Sequence, residues 1–137
     1  MLLIRTQVRP SAIHGLGLFT VAAVVRGTPI WRFEPGFDRV FEPAQLAALP
    51  SLVRDHLAWF AYVRLMDGAR VLSGDHCCFM NHATSPNTGM PPHADADGHT
   101  VALRDIAAGE ELTCDYFAFD AEAAAKLAPV SRSAPVR

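Results

Sequence analysis

The chain has 137 residues, 50% hydrophobic and 19% charged, with a formal net charge of −2 and a sequence pI near 6.3. That length suits one domain with a real core, and the composition excludes wholesale disorder. No apolar run is long enough to span a bilayer, Arg5 and Arg9 interrupt an opening that does not resemble a signal peptide, and no basic field marks a nucleic-acid binder.

Residues 2–8 are β-branched and apolar and predict a first strand. HGLGLF, residues 14–19, is a Gly-punctuated loop leading into a strand through Val21. Gly27-Thr28-Pro29 turns the chain into a strand over 30–33. From 42 to about 60 the period changes. Leu46, Leu49, Val53, Leu57 and Phe60 recur at spacings of three and four, predicting one face of two short helices broken near Pro50, with Ser51 capping the second. A hairpin follows, residues 62–65 and 71–73 around Asp67-Gly68.

Residues 81–87 are rich in turn formers, and Pro91-Pro92 and Asp97-Gly98 punctuate what comes next. Strands are expected over 100–104 and 111–115. Asp120 is expected to cap an alanine-rich helix through Leu127, and the tail from Pro129 reads as a mobile end. Many short strands with one helical insert define a β-rich α+β domain. The three cysteines, Cys77, Cys78 and Cys114, form no disulfide framework, which points to a reducing, cytoplasmic setting.

Three segments carry chemistry. HGLGLF holds a glycine pair, and by itself is a tight turn; a dinucleotide-binding reading fails because no third glycine and no long helix follow. FMNHATSPN, residues 79–87, is by itself a loop with a buried histidine, and AGEELTCDY, residues 108–116, a turn into an edge strand. In this order and spacing the three resemble the SET-domain lysine methyltransferases, over about residues 2–120.

The resemblance implies a SET-domain, β-clip-like fold of several small curled sheets, with a short helical insert at about 42–60 and a C-terminal pseudoknot closed by the stretch to Asn87. The SET domain would occupy residues 1–120, and residues 121–137 a short helix and tail. The implied activity is methyl transfer from S-adenosyl-L-methionine to a lysine amine of a protein or peptide substrate, with neither nucleic acid nor membrane as partner. His14, Gly15, Leu16 and Gly17 would cradle the cofactor's methionine part, Asn81 and His82 would meet its amino-acid and adenine ends, and Tyr116 would be the catalytic tyrosine beside the sulfonium. Asp115 would fix the loop, and Glu110 and Glu111 would be solvated or structural.

Methyl transfer to an amine is an in-line displacement that needs alignment and an apolar channel disfavouring the ammonium, and no metal. Channel candidates are Phe60, Tyr62, Cys114, Phe117 and Phe119, each of which also suits the core; Trp31 and Phe33 suit the core better. Cys114 stands where many members of the family carry phenylalanine or tyrosine, so higher methylation states are expected. Ala83 replaces a common serine, and the family's cysteine-rich zinc appendix is missing. FAFDAEAAAK would then close the channel, through packing rather than metal.

Rival readings are a zinc site among His76, Cys77, Cys78, His82, His93, His99 and Cys114, a cysteine hydrolase using Cys78 or Cys114 with His82, and a silent SET-like module that binds cofactor or peptide. The zinc reading lacks a Cys-x-x-Cys pair, and the hydrolase lacks a nucleophile turn.

Overall fold

The computed structural model describes residues 1–91 and 99–128. Pro92, His93, the expected turn at Asp97-Gly98 and the tail from Pro129 lie outside the described residues.

The opening apolar stretch serves two sheets instead of forming one strand over 2–8. Leu2 bridges Trp31, and the Leu3 amide donates to the Ile30 carbonyl at 2.8 Å. The chain then bends, and β1 (Thr6–Pro10) starts on a different sheet. β1 is an edge strand, so the missing N–H of Pro10 is tolerated there.

β2 (Leu16–Thr20) pairs antiparallel with β1, placing Val8 opposite Leu18. β3 (Pro29–Arg32) and β4 (Arg39–Phe41) lead into the helical insert, α1 (Pro43–Ala47) and α2 (Ser51–Phe60). Glu42 and Gln45 form a capping box on α1, with Pro43 in its first turn.

Ser51 does not cap α2. The amides of Val53 and Arg54 donate to the Pro50 carbonyl, which makes Pro50 the cap and puts Ser51 inside the first turn. The expected apolar face of the insert is buried at Leu57 alone, while Val53 and Phe60 are exposed.

The hairpin forms as expected, as β5 (Tyr62–Val63) and β6 (Arg70–Leu72), with Gly68 at φ +72° in the turn. A 3-10 turn, His76–Phe79, precedes β7 (Asn81–His82) and β8 (Thr88–Gly89). β9 (His99–Ala102) and β10 (Glu111–Cys114) follow, then a second 3-10 turn, Tyr116–Ala118, and α3 (Ala123–Leu127). Asp120 does not cap α3, whose N-cap is Glu122. Its carboxylate accepts instead from the amides of Val63 and Glu122, both at 3.0 Å, tying the approach to α3 to the hairpin.

Among the described residues three small sheets result, in the orders β1-β2-β10-β7, β3-β9-β8 and β4-β6-β5, with no closed barrel. The core lies between the first two sheets. Leu18, Ile30, Ile106 and Leu112 are essentially inaccessible, and Tyr116 and Phe119 pack against that cluster. Each such aliphatic contributes about 2 kcal/mol of burial free energy.

β10 is held from three directions. It pairs antiparallel with β2 and parallel with β7. The loop leaving β7 then returns: Asn87 donates through Nδ2 to the Glu111 carbonyl at 2.7 Å and accepts from the Thr113 amide at 2.8 Å, and the Thr88 hydroxyl donates to the Thr113 carbonyl at 2.8 Å. Residues 81–88 thus clasp β10 immediately before Tyr116.

Candidate active site

The Gly15–Gly17 loop is shaped by protein groups. Gly15 has φ +46°, a left-handed conformation that favours glycine, and a Cβ there would meet nothing within 4 Å. Gly17 is needed for a different reason: a Cβ would lie 2.2 Å from Glu111 Oε1. The Glu111 carboxylate accepts from the Ser11 hydroxyl at 2.8 and 2.9 Å, and the Ser11 oxygen accepts from the amides of Ile13 and His14 at 2.9 and 3.3 Å. Glu111, read from sequence as solvated or structural, is the structural support of the loop.

Asn81 joins this loop to the C-terminal strand. Its buried Nδ2 donates to the His14 carbonyl at 3.2 Å, the Leu16 carbonyl at 3.1 Å and Glu111 Oε1 at 2.8 Å. That amide is therefore committed within the protein and acts by holding the loop.

His82, next along β7, accepts the Tyr116 amide at its Nδ1, 3.2 Å away, so the neutral ring carries its proton on Nε2. The rings of His82 and Tyr116 lie 5.5 Å apart. Asp115 Oδ1 is 3.6 Å from the same nitrogen and accepts the Phe117 amide at 3.0 Å, fixing the turn.

Tyr116 lies in the wall of a cavity of about 300 Å³. Its hydroxyl donates to the Met80 carbonyl at 2.8 Å, and burial raises its pKa well above the ordinary phenol value. Tyr62, which lines the same cavity, is pushed up to about 12, mainly by burial. Both are neutral phenols at physiological pH.

Four of the five channel candidates line the cavity with Tyr116: Phe60, Tyr62, Cys114 and Phe119. Phe119 meets Tyr62 edge-on at 5.3 Å and Tyr116 at 6.0 Å, so three aromatic rings share one wall. Phe117 is not in that wall. It is 57% exposed and stands edge-on to the His82 ring at 5.7 Å, because the 3-10 turn after Asp115 swings it outward.

Trp31 combines two roles: it is buried as core, as expected, and its ring also lines the cavity. Trp59, Met80, Thr88 and Met90 contribute to the lining without having been singled out by the sequence. Trp59 stands 65% exposed at the end of α2. The closing segment also differs from expectation. Phe119 packs, but Asp120 and Lys126 also line the cavity, and their ion pair at 2.6 Å fastens the segment.

The thiols are unsuited to nucleophilic work. Burial raises Cys77 and Cys78, and carries Cys114 to about 12, so all three are protonated at neutral pH. Among the described residues no three of the histidine, cysteine and carboxylate side chains come together in a metal-holding group. His93 lies outside those residues.

The SET domain family model matches residues 15–117, more than half of the chain, and the protein belongs to that family. Its fold is similar to that of a Plasmodium falciparum protein described as a histone methyltransferase, with 16% identity and a TM-score of 0.57, covering 82% of this chain and 93% of that one. It is also similar to a humanized mutant of the Chaetomium thermophilum Polycomb Repressive Complex 2 bound to the inhibitor GSK126, at 21% identity and a TM-score of 0.62, covering 89% of this chain. An apo form of the complex with two substitutions gives 20% identity and a TM-score of 0.65 over 90% of this chain. The match spans 16% of the chain from each Polycomb structure. No curated protein sequence is significantly similar to the chain.

Proposed function

We propose that the protein is a protein-lysine N-methyltransferase that uses S-adenosyl-L-methionine and works in the cytoplasm. The observation that carries this reading is a continuous set of contacts: the Gly15–Gly17 loop is held by Asn81, the adjacent His82 holds the Tyr116 amide, and Tyr116 forms the wall of an apolar cavity. One family motif supplies each part.

The loop residues fit the cofactor on their open side. Gly15 has free space where a side chain would project, Leu16 is 47% exposed, and the inward carbonyls of His14 and Leu16 are already satisfied by Asn81. His14, Gly15, Leu16 and Gly17 would hold its methionine end, with His82 beside them and Asn81 fixing the loop. S-adenosyl-L-methionine, when bound, supplies an electrophilic sulfonium methyl group.

The chain's own residues align and desolvate. The lysine nucleophile must be neutral, and with a free pKa near 10.4 its deprotonation at pH 7 costs roughly 4–5 kcal/mol. Walls made by Phe60, Tyr62, Cys114 and Phe119 disfavour the ammonium and lower that cost. Tyr116 uses its proton on Met80, so its oxygen lone pairs remain to accept an N–H from the incoming amine and aim its lone pair at the methyl carbon. An amine aligned in this way would take up the methyl group that the bound cofactor would supply, and its surplus proton would pass to water.

The test is transfer of label from methyl-labelled cofactor to core histones and poly-L-lysine, beside calorimetric binding of the cofactor. Lysine-located label is the expected result. Binding without transfer would leave a silent module, and the absence of both would remove the reading.

A further inference from the structure

Lys126 is the only lysine in the sequence, and it lies in the wall of the cavity proposed to receive a substrate lysine. Its ammonium is largely buried and donates to Asp120 Oδ2 at 2.6 Å and to the Ala61 carbonyl at 2.5 Å. Asp120, almost fully buried, uses its other oxygen on the Val63 and Glu122 amides, and the Ala121 amide donates to the Val63 carbonyl at 2.9 Å. One ammonium and one carboxylate therefore join α3, the turn before it and the hairpin. The residues they fasten flank two rings of the aromatic wall: Tyr62 sits between Ala61 and Val63, and Phe119 precedes Asp120.

We infer that Lys126 is a positioning residue, whose ion pair with Asp120 sets the spacing of Tyr62 and Phe119 and so the fit of the acceptor side chain. This rests on the methyltransferase reading for its functional consequence, though not for its structural one. The pair also occupies the chain's own lysine: with its Nζ donating to Asp120 Oδ2 and to the Ala61 carbonyl, Lys126 is held against the cavity wall rather than presented as an acceptor, and so is protected from self-methylation.

The test uses the full chain with Lys126→Met, Lys126→Arg, and the double variant Lys126→Gln, Asp120→Asn, which replaces the ion pair by a neutral hydrogen-bonded pair and remains informative if the stranded Asp120 carboxylate unfolds the methionine variant. Hydrogen exchange at the Val63 and Ala121 amides should accelerate roughly tenfold or more in Lys126→Met, and in the double variant to a smaller extent. KM for poly-L-lysine should rise roughly tenfold in Lys126→Met with cofactor affinity unchanged, and Lys126→Arg should recover most of the loss. Unchanged exchange in the folded variants overturns the inference, whether or not the wild type transfers methyl groups. Unchanged KM in an active enzyme overturns its functional half alone. Methyl gained at Lys126 when wild type is incubated with cofactor, read by peptide mass, overturns the protected role. Absence of any transfer by wild type defeats the proposed function and leaves the exchange measurement to decide the latch.

Discussion

Asn81 Nδ2 and Glu111 Oε1 meet at 2.8 Å beneath the Gly15–Gly17 loop, which makes a strand carboxylate and a buried amide the joint floor of that loop. Their contact explains why two glycines of one motif have different requirements.

Gly17→Ala should therefore be the more damaging change. Its Cβ would press on Glu111 Oε1 and displace a carboxylate bonded to both Ser11 and Asn81, at a cost of about 1–3 kcal/mol. Gly15→Ala meets no neighbour and incurs only the backbone strain of its positive φ, about 1–2 kcal/mol. Denaturant melts give the stabilities, and calorimetry should show cofactor affinity falling in both. A Gly17→Ala protein as stable as wild type would show that Glu111 does not hold the loop.

Tyr116→Phe removes one hydroxyl and leaves the Met80 carbonyl without that donor. The expected loss of stability is about 1 kcal/mol, and the expected loss of kcat is roughly a hundredfold or more with cofactor affinity retained. Thermal melts and single-turnover assays separate the two effects. Turnover equal to wild type would remove Tyr116 from amine alignment.

Cys114→Tyr places a large polar ring at a buried position that lines the cavity beside Tyr116. Wild type should build di- and trimethyl-lysine, and the variant should stop at one methyl group, as read by peptide mass spectrometry. A wild type limited to monomethyl-lysine, with the same product from the variant, would contradict the assigned role. Overpacking is expected to cost about 1–3 kcal/mol in addition.

Glu110 gives a stability effect with a defined sign. Its carboxyl is lowered to about 2, chiefly by the Arg104 guanidinium, with further bonds from the Ala107 amide and Asn87. A depressed carboxyl contributes stability that is complete above the unfolded-state pKa and disappears as pH falls towards the folded-state value. The stability difference between wild type and Glu110→Gln should thus be constant above about pH 5 and shrink towards pH 2. Its size should stay below about 1 kcal/mol, since Arg104 is more than half exposed. A difference that grew on acidification would contradict this assignment.

Sequence patterns revealed the parts of the fold that rest on local chemistry. Asp67-Gly68 announced the β5–β6 hairpin, and the break at Pro50 separated α1 from α2. β4 and β8 have three and two residues, too short for any alternation to register, and exist because β6 and β9 offer them partners. Ser51 and Asp120 suit helix caps by residue type, but α2 already starts on the Pro50 carbonyl, and Asp120 is taken up by the Val63 amide and Lys126, which leaves the cap of α3 to Glu122.

For the site, the motifs located the loop, His82 and Tyr116, because each combines rare residues at fixed spacing. The roles of Glu111 and Lys126 were hidden, since their partners Ser11 and Ala61 lie 100 and 65 positions away. Phe117 stands outside the cavity wall for a geometric reason: successive residues of a tight turn face different directions, so adjacency to Tyr116 does not bring it into the lining.

The way β10 is gripped bears on how the protein matures. A strand that needs β2 from near the start, β7 from mid-chain and the Asn87–Thr88 return loop can settle only after all three have emerged and met. Non-local pairings of this kind come late in folding. During synthesis the ribosome must therefore deliver the whole of β10 before this strand, and the cavity wall that Tyr116 forms after it, can close.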